Sequence, residues 1–169
     1  MAKARAAAGT TIFLVIAPGI VAGLLPWLIT GWHQGSTRPA VLTAAGGVLT
    51  GAGCLVLLSA FGRFVLEGIG TPAPAAPTQH LVIGGLYRYV RNPMYLALQA
   101  IIVGQVALLD RPVLLPYAAA VLAATMAFAR WYEEPALTRQ FGEEYLAYRR
   151  QVPGWIPRPI RNQIPGARD

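Results

Sequence analysis

The sequence predicts an all-α integral membrane protein, with about four transmembrane helices and a C-terminal cytoplasmic amphipathic helix. Three observations carry that prediction. Hydrophobic residues make up 55% of the chain and charged residues only 12%, against about 25% charged in soluble domains. So few charges cannot coat a water-facing surface. The charges are also segregated. Lys, Arg, Asp and Glu are missing between Arg5 and Arg38, Arg38 and Arg63, Arg91 and Asp110, and Arg111 and Arg130, and each gap holds 18 or more residues. About 20 apolar residues cross roughly 30 Å of hydrocarbon at 1.5 Å per residue. Finally, the basic residues fall almost entirely on one side of the spans these gaps define.

The first span is expected at about Thr10–Trp32. Lys3 and Arg5 precede it, as in a signal peptide, but the run is too long for an h-region and no small-x-small cleavage site follows, so a retained span is expected. Pro18 and Pro26 are positioned to kink it, and Trp27 and Trp32 sit where an aromatic belt is expected. The second span, Ala40–Phe61, and the first both carry glycines four apart, Gly19 and Gly23 and then Gly47 and Gly51. Such pairs predict close helix packing. Cys54 is the single cysteine, which excludes an internal disulfide, argues against a thiolate metal site and reads as a small packed residue.

Residues 62–92 form a loop. The stretch "TPAPAAPTQH" is free of charge, yet its prolines remove backbone donors that hydrocarbon cannot replace. The third and fourth spans, Pro93–Leu109 and Pro112–Trp131, are joined by Asp110 and Arg111, with Pro112 suited to a first helical turn. They form an antiparallel hairpin that returns Glu133 to the neighbourhood of Asn92 and Tyr95. Beyond Glu134, Leu137, Phe141, Tyr145 and Tyr148 recur at helical spacing. They predict a helix packed on the membrane or on the bundle, with Gly142 interrupting it. Val152–Pro159 is turn-rich, and Trp155 and Ile156 are candidates for interfacial anchors.

The N-terminus, the 62–92 loop and the C-terminal tail share one side and hold twelve of the fourteen Lys and Arg residues. The positive-inside rule makes that side cytoplasmic, which points to the cytoplasmic (inner) membrane with both termini inside. The net charge of +7 follows from this bias, so no nucleic acid partner is invoked, and a basic face suits anionic headgroups.

Two polar clusters meet at the cytoplasmic mouth of the hairpin. One is His80, Tyr87, Arg88, Tyr89, Arg91, Asn92 and Tyr95. The other is Arg130, Trp131, Tyr132, Glu133 and Glu134. Acidic pairs at a membrane helix end are functional candidates. The residues alone are equally consistent with Glu133 and Glu134 making surface salt bridges to Arg88, Arg91 and Arg130.

The segments "GGLYRYVRNPMY" and "WYEEPALTRQFGEEYLAYRRQVPGWIP", separated by a hairpin, resemble the membrane-embedded methyltransferases. Those include isoprenylcysteine carboxyl methyltransferase and phosphatidylethanolamine N-methyltransferase. The first branch is matched at Gly85, Tyr87, Arg91, Pro93, Tyr95, Glu133, Glu134, Phe141, Gly142, Tyr145, Tyr148, Val152 and Pro153. The second is matched at Asn92–Tyr95 and Tyr132–Pro135. The resemblance covers about residues 78–157. It implies a single methyltransferase domain over 1–169, with an N-terminal helix pair at 10–61 and a catalytic region at 78–157.

The resemblance further implies S-adenosyl-L-methionine as cofactor. Carried over by position, its contacts are Gln79, His80, Leu81, Val82, Tyr87, Asn92, Pro93, Met94, Tyr95, Glu133 and Glu134. These residue types suit the ligand. A carboxylate accepts from the ammonium or ribose, tyrosine rings stack on adenine and face the sulfonium, and no metal is needed. Arg91 or Arg130 would steer a carboxylate acceptor, and Glu134 or His80 would take the proton of an amine acceptor. The acceptor is expected to be a lipophilic, membrane-embedded small molecule or lipid. Asn92 stands where the prenylcysteine branch has His, which removes a titratable group. Two other readings remain open: an NADPH-dependent sterol-type reductase, and a non-catalytic lipid-binding membrane subunit.

Overall fold

The computed structural model describes residues 16–35, 39–63 and 80–158. Gln79, the first part of the expected first span and most of the 62–92 loop lie outside the described residues. The described residues form helices and turns only. They are α1 (Ile16–Thr30), α2 (Ala40–Arg63), α3 (Pro93–Leu109), α4 (Leu114–Phe141) and α5 (Glu143–Gln151), with a 3-10 turn at Gly85–Arg88 before α3.

Two of these, α2 and α4, are long and apolar enough to cross a membrane, while α1 and α3 are shorter apolar helices. A long apolar helix can also be the core of a soluble protein. Here it is not: Val48 and Leu55 on α2 are 73% and 71% exposed. Water would penalise so many exposed aliphatic side chains, whereas lipid does not. Cys54 lies on this exposed face rather than in a packed core.

The tightest contact joins α2 to α3, and small residues explain it. A side chain at Gly53 would come within 2.9 Å of the Ala97 carbonyl, and one at Gly104 within 2.9 Å of the Gly46 carbonyl. The seam is therefore Gly46, Gly53, Ala97 and Gly104. The expected pairs do not form it. Gly19, Gly23 and Gly51 face open space, and Gly47 meets only a Leu108 methyl at 3.8 Å.

Pro26 shapes α1. It has no N–H for the Ala22 carbonyl four residues back. The helix widens into a π turn over Ile20–Leu24, and the Leu25 N–H reaches Ile20 instead of Val21. Two carbonyls lose their usual donors, and hydrocarbon offers none. Neighbouring helices supply them. Gln105 of α3 donates to Ala22 O at 2.7 Å, and the Tyr117 hydroxyl of α4 donates to Val21 O. Gln99 likewise donates to Ala118 O at 2.9 Å, joining α3 to α4.

Helix α3 begins at Pro93 and ends at Asp110, whose left-handed backbone (φ 52°) reverses the chain. Pro112 sits in the turn rather than in the first helical turn, and α4 starts two residues later. The hairpin is as expected, but α4 runs past Trp131. A second π turn, Ala129–Glu133, carries it through Pro135 to Phe141. Gly142, with φ 53°, then breaks the helix in a conformation that L side chains rarely adopt.

Candidate functional site

The mouth of the α3–α4 hairpin gathers the two polar clusters. Pro93 occupies the first position of α3, where its missing N–H costs nothing and its fixed φ starts the helix. This aims Tyr95 at the end of α4. The Tyr95 hydroxyl donates to Glu133 Oε1 at 2.8 Å. Among the described residues no hydrogen bond reaches Glu133 Oε2.

Glu134 is held differently. Arg91 meets its Oε1 at 2.9 Å, while Arg149 and Arg130 meet its Oε2 at 3.2 Å and 3.3 Å. The Arg91 and Glu134 side chains are 14% and 13% exposed, that of Arg130 is 65% exposed, and exposed pairs contribute little. The Arg91–Glu134 pair therefore carries the cluster. Three guanidiniums around one carboxylate leave the mouth positively charged.

A C-terminal strap, residues 152–158, closes over the loop before α3. The Arg91 N–H donates to Pro153 O at 2.9 Å and Arg91 Nε donates to Val152 O at 3.0 Å. A third donor from the same side chain, Nη1, reaches the Tyr145 hydroxyl at 3.1 Å. Asn92 precedes a helix, a place where Asn commonly caps the first turn. Its side chain instead donates to Gly154 O at 3.0 Å. The amide thus pins the strap without a titratable ring. The Arg158 N–H donates to Tyr89 O, and the Trp155 ring stacks on Tyr95 with centroids 6.1 Å apart.

Helix α5 packs on the bundle through Tyr145 and Tyr148. Both are buried with Ile83 and Val152, against Leu81, Leu137 and Phe141. Burial raises both phenol pKa values; Arg91 pulls the Tyr145 value the other way without reversing it. The two hydroxyls thus stay protonated, and Tyr148 donates to Tyr87 O at 2.7 Å. Val82 and Tyr87 are buried with Ala60 and touch Met94, while His80 is exposed.

The structure thus brings Arg91, Asn92, Pro93, Tyr95, Glu133 and Glu134 to one point with Arg130 at its rim. Leu81, Val82, Tyr87 and Met94 form apolar packing under the loop, and His80 stays outside it. Arg149, Gly154 and the Trp155 stack were missed in the sequence. Arg149 was findable: it lies one helical turn beyond Tyr145, on the same face of α5.

The donor and acceptor set fits S-adenosyl-L-methionine in chemistry. Glu133 keeps one carboxylate oxygen for a cationic or hydroxyl donor, and Tyr95 and Trp155 offer aromatic faces beside it. A model of the phospholipid methyltransferase family matches residues 41–144, from α2 to the start of α5. No curated protein and no solved structure matches the chain.

Proposed function

The chain belongs to the phospholipid methyltransferase family, and from that premise we propose that it uses S-adenosyl-L-methionine to methylate a lipophilic, membrane-embedded acceptor at the α3–α4 mouth. The observation that carries this reading is the double link between the segment opening α3 and the acidic pair on α4. Those links are Tyr95 to Glu133 at 2.8 Å and Arg91 to Glu134 at 2.9 Å. They gather an acceptor carboxylate, aromatic faces and a cationic rim at one point.

When bound, the cofactor supplies a methyl group on a cationic sulfur, and transfer leaves a neutral sulfide that needs no acid. Glu133 would hold its ammonium or ribose, with Tyr95 fixing the carboxylate. Asn92 and the backbone of His80, Leu81 and Val82 would border the adenine, and Tyr87, Pro93 and Met94 would form the floor beneath. Both oxygens of Glu134 are already engaged by arginines. Its role is to position Arg91 and, through Arg91, the strap. Arg130 is the arginine with freedom to steer an anionic acceptor. For an amine acceptor, Glu134 is too fully engaged by arginines to act as base, and the exposed His80 would take the proton. Much of the acceleration in such a displacement comes from positioning, on the order of 7–11 kcal/mol in favourable cases. The same reading puts all four apolar helices across the cytoplasmic membrane with both termini inside, so that α5 and the strap lie at the cytoplasmic surface.

The test has two arms. Purified full-length protein is titrated with S-adenosylhomocysteine in a calorimeter, and membranes containing it are incubated with methyl-labelled cofactor before lipid, protein and volatile products are separated. Saturable heat and label in the lipid fraction are expected. Absence of heat at millimolar ligand, or saturable heat with NADPH instead, would sink the proposal.

A further inference from the structure

We propose that Pro135 is a positioning residue for the methyl-transfer mouth. By holding the π turn Ala129–Glu133 open, it sets the register that turns both Glu133 and Glu134 toward the start of α3. The consequence for methyl transfer rests on the function proposed above, whereas the register itself does not.

The body of α4 packs along one stripe. Leu114, Ala118 and Ala129 are buried, and Val121 packs in the same cluster as Ala118. An α-helix turns about 100° per residue. Tyr132 lies 18 residues beyond Leu114, about five whole turns. Regular α geometry would therefore carry Tyr132 into the bundle. Glu133 would stand about 100° and Glu134 about 200° away from the stripe, so that Glu134 would face outward. The structure shows the reverse. Tyr132 is 48% exposed, Glu133 meets the Tyr95 hydroxyl and Glu134 meets Arg91. The π turn accommodates one extra residue, so each residue past it takes the angular place of the one before. Glu133 then falls on the stripe and Glu134 beside it. Arg149, further along, joins Glu134 Oε2 at 3.2 Å in the same register.

Pro135 explains why the turn is there. In a regular helix its ring would meet the carbonyl of Trp131, four residues back, and it has no N–H to offer that carbonyl. A wider turn relieves the contact, and the Glu134 N–H reaches Ala129 O instead. The chain repeats the arrangement at Pro26. There a π turn ends at Leu24, and the Leu25 N–H reaches Ile20 O. Two prolines on different helices, with different neighbours, each follow a widened turn by two positions. That ties the turn to the proline rather than to its surroundings. Turns of this kind recur at functional sites, and here the gain is specific: two adjacent carboxylates reach two different partners on one neighbouring segment.

Three full-length chains test this: the wild type, Pro135→Ala, and Pro135→Ala with Trp131 deleted. Trp131 is exposed, so its deletion removes one residue from the turn at little cost in packing. In Pro135→Ala the turn is expected to close to α geometry, bringing Glu133 to the place of Glu134 and Tyr132 to that of Glu133. In the wild type, Glu134→Gln should lower the melting temperature in detergent more than Glu133→Gln does. In Pro135→Ala that order is expected to reverse. Affinity for S-adenosylhomocysteine is expected to fall about thirtyfold, the equivalent of one charge-assisted hydrogen bond. Deleting Trp131 is expected to restore both the affinity and the original order of melting. An unreversed order in Pro135→Ala would overturn the proposal, as would a deletion that fails to restore it. Should Pro135→Ala not fold, the deletion chain decides: the wild-type order supports the proposal, and a reversed order or an unfolded chain overturns it. A wild type that gives no heat with S-adenosylhomocysteine sinks the cofactor reading alone, because the order of melting judges the register without a ligand.

Discussion

Two π turns in this protein have the same local design and opposite fates. Each ends just before a residue that precedes proline: Ile20–Leu24 before Leu25 and Pro26, and Ala129–Glu133 before Glu134 and Pro135. In each, the N–H after the turn reaches five residues back, to Ile20 O or Ala129 O, and the proline has none to give. In α1 the two bypassed carbonyls, Val21 and Ala22, are taken by Tyr117 and Gln105. In α4 the corresponding carbonyls belong to Arg130 and Trp131, at the bundle mouth, where the Trp131 side chain is 79% exposed. The first turn is a sealed joint between three helices. The second widens the helix at the point where Glu133 turns toward Tyr95 and Glu134 toward Arg91. The lesson is that a π turn specifies a place where backbone polarity becomes available. Its neighbours decide whether that polarity is consumed by the fold or left beside a site.

This contrast can be broken by substitution. The largest effect is expected from Glu134→Gln, which leaves three arginines without their counter-charge. Loss of a partly buried pair should cost about 3 kcal/mol, read as a lowered melting temperature in detergent, together with loss of methyl transfer. Next, Glu133→Gln should weaken S-adenosylhomocysteine binding about thirtyfold, the equivalent of about 2 kcal/mol for a charge-assisted hydrogen bond, with little change in melting. Unaltered affinity would remove Glu133 from the proposed cofactor site. Gln105→Leu should cost about 1–2 kcal/mol of stability, because it leaves the Ala22 carbonyl without a donor, and should leave calorimetric affinity unchanged. If affinity falls with it, the two joints are coupled and the comparison fails. Tyr117→Phe should be mildest, at about 0.6 kcal/mol, the average for hydrogen bonds inside membrane bundles.

The parts that were legible in the sequence are those governed by local chemistry. Pro93 and the Asp110–Pro112 turn fixed α3 at Pro93–Leu109, and two long charge-free runs marked α2 and the body of α4. The hairpin then required Glu133 to return to Tyr95. Register was not legible. The stretch from Thr43 to Cys54 contains glycines at 46, 47, 51 and 53, and several small-residue spacings look equally good. Gly104 and Ala97 on the partner helix chose Gly46 and Gly53. The run of α4 past Trp131 was hidden because Pro135 reads as a helix boundary, and the π turn is what lets the helix pass it. The strap was hidden because its hydrogen bonds use backbone carbonyls of Val152, Pro153 and Gly154, which leave no trace in side-chain identity. The family match stops at residue 144, short of that strap.

The strap also sets an order in time. Arg91 is anchored to Val152, a residue 61 positions later in the chain. A ribosome adding roughly 5–20 residues per second needs about 3–12 s to cover that distance. During this interval α3 and α4 can already be made and inserted, while the loop that precedes α3 still waits for its fastening. A nascent chain therefore passes through a stage in which its helices are in place and its mouth is unlatched. The loop is fastened only once residues 152–158 have been made, so translation itself times the closing of the mouth.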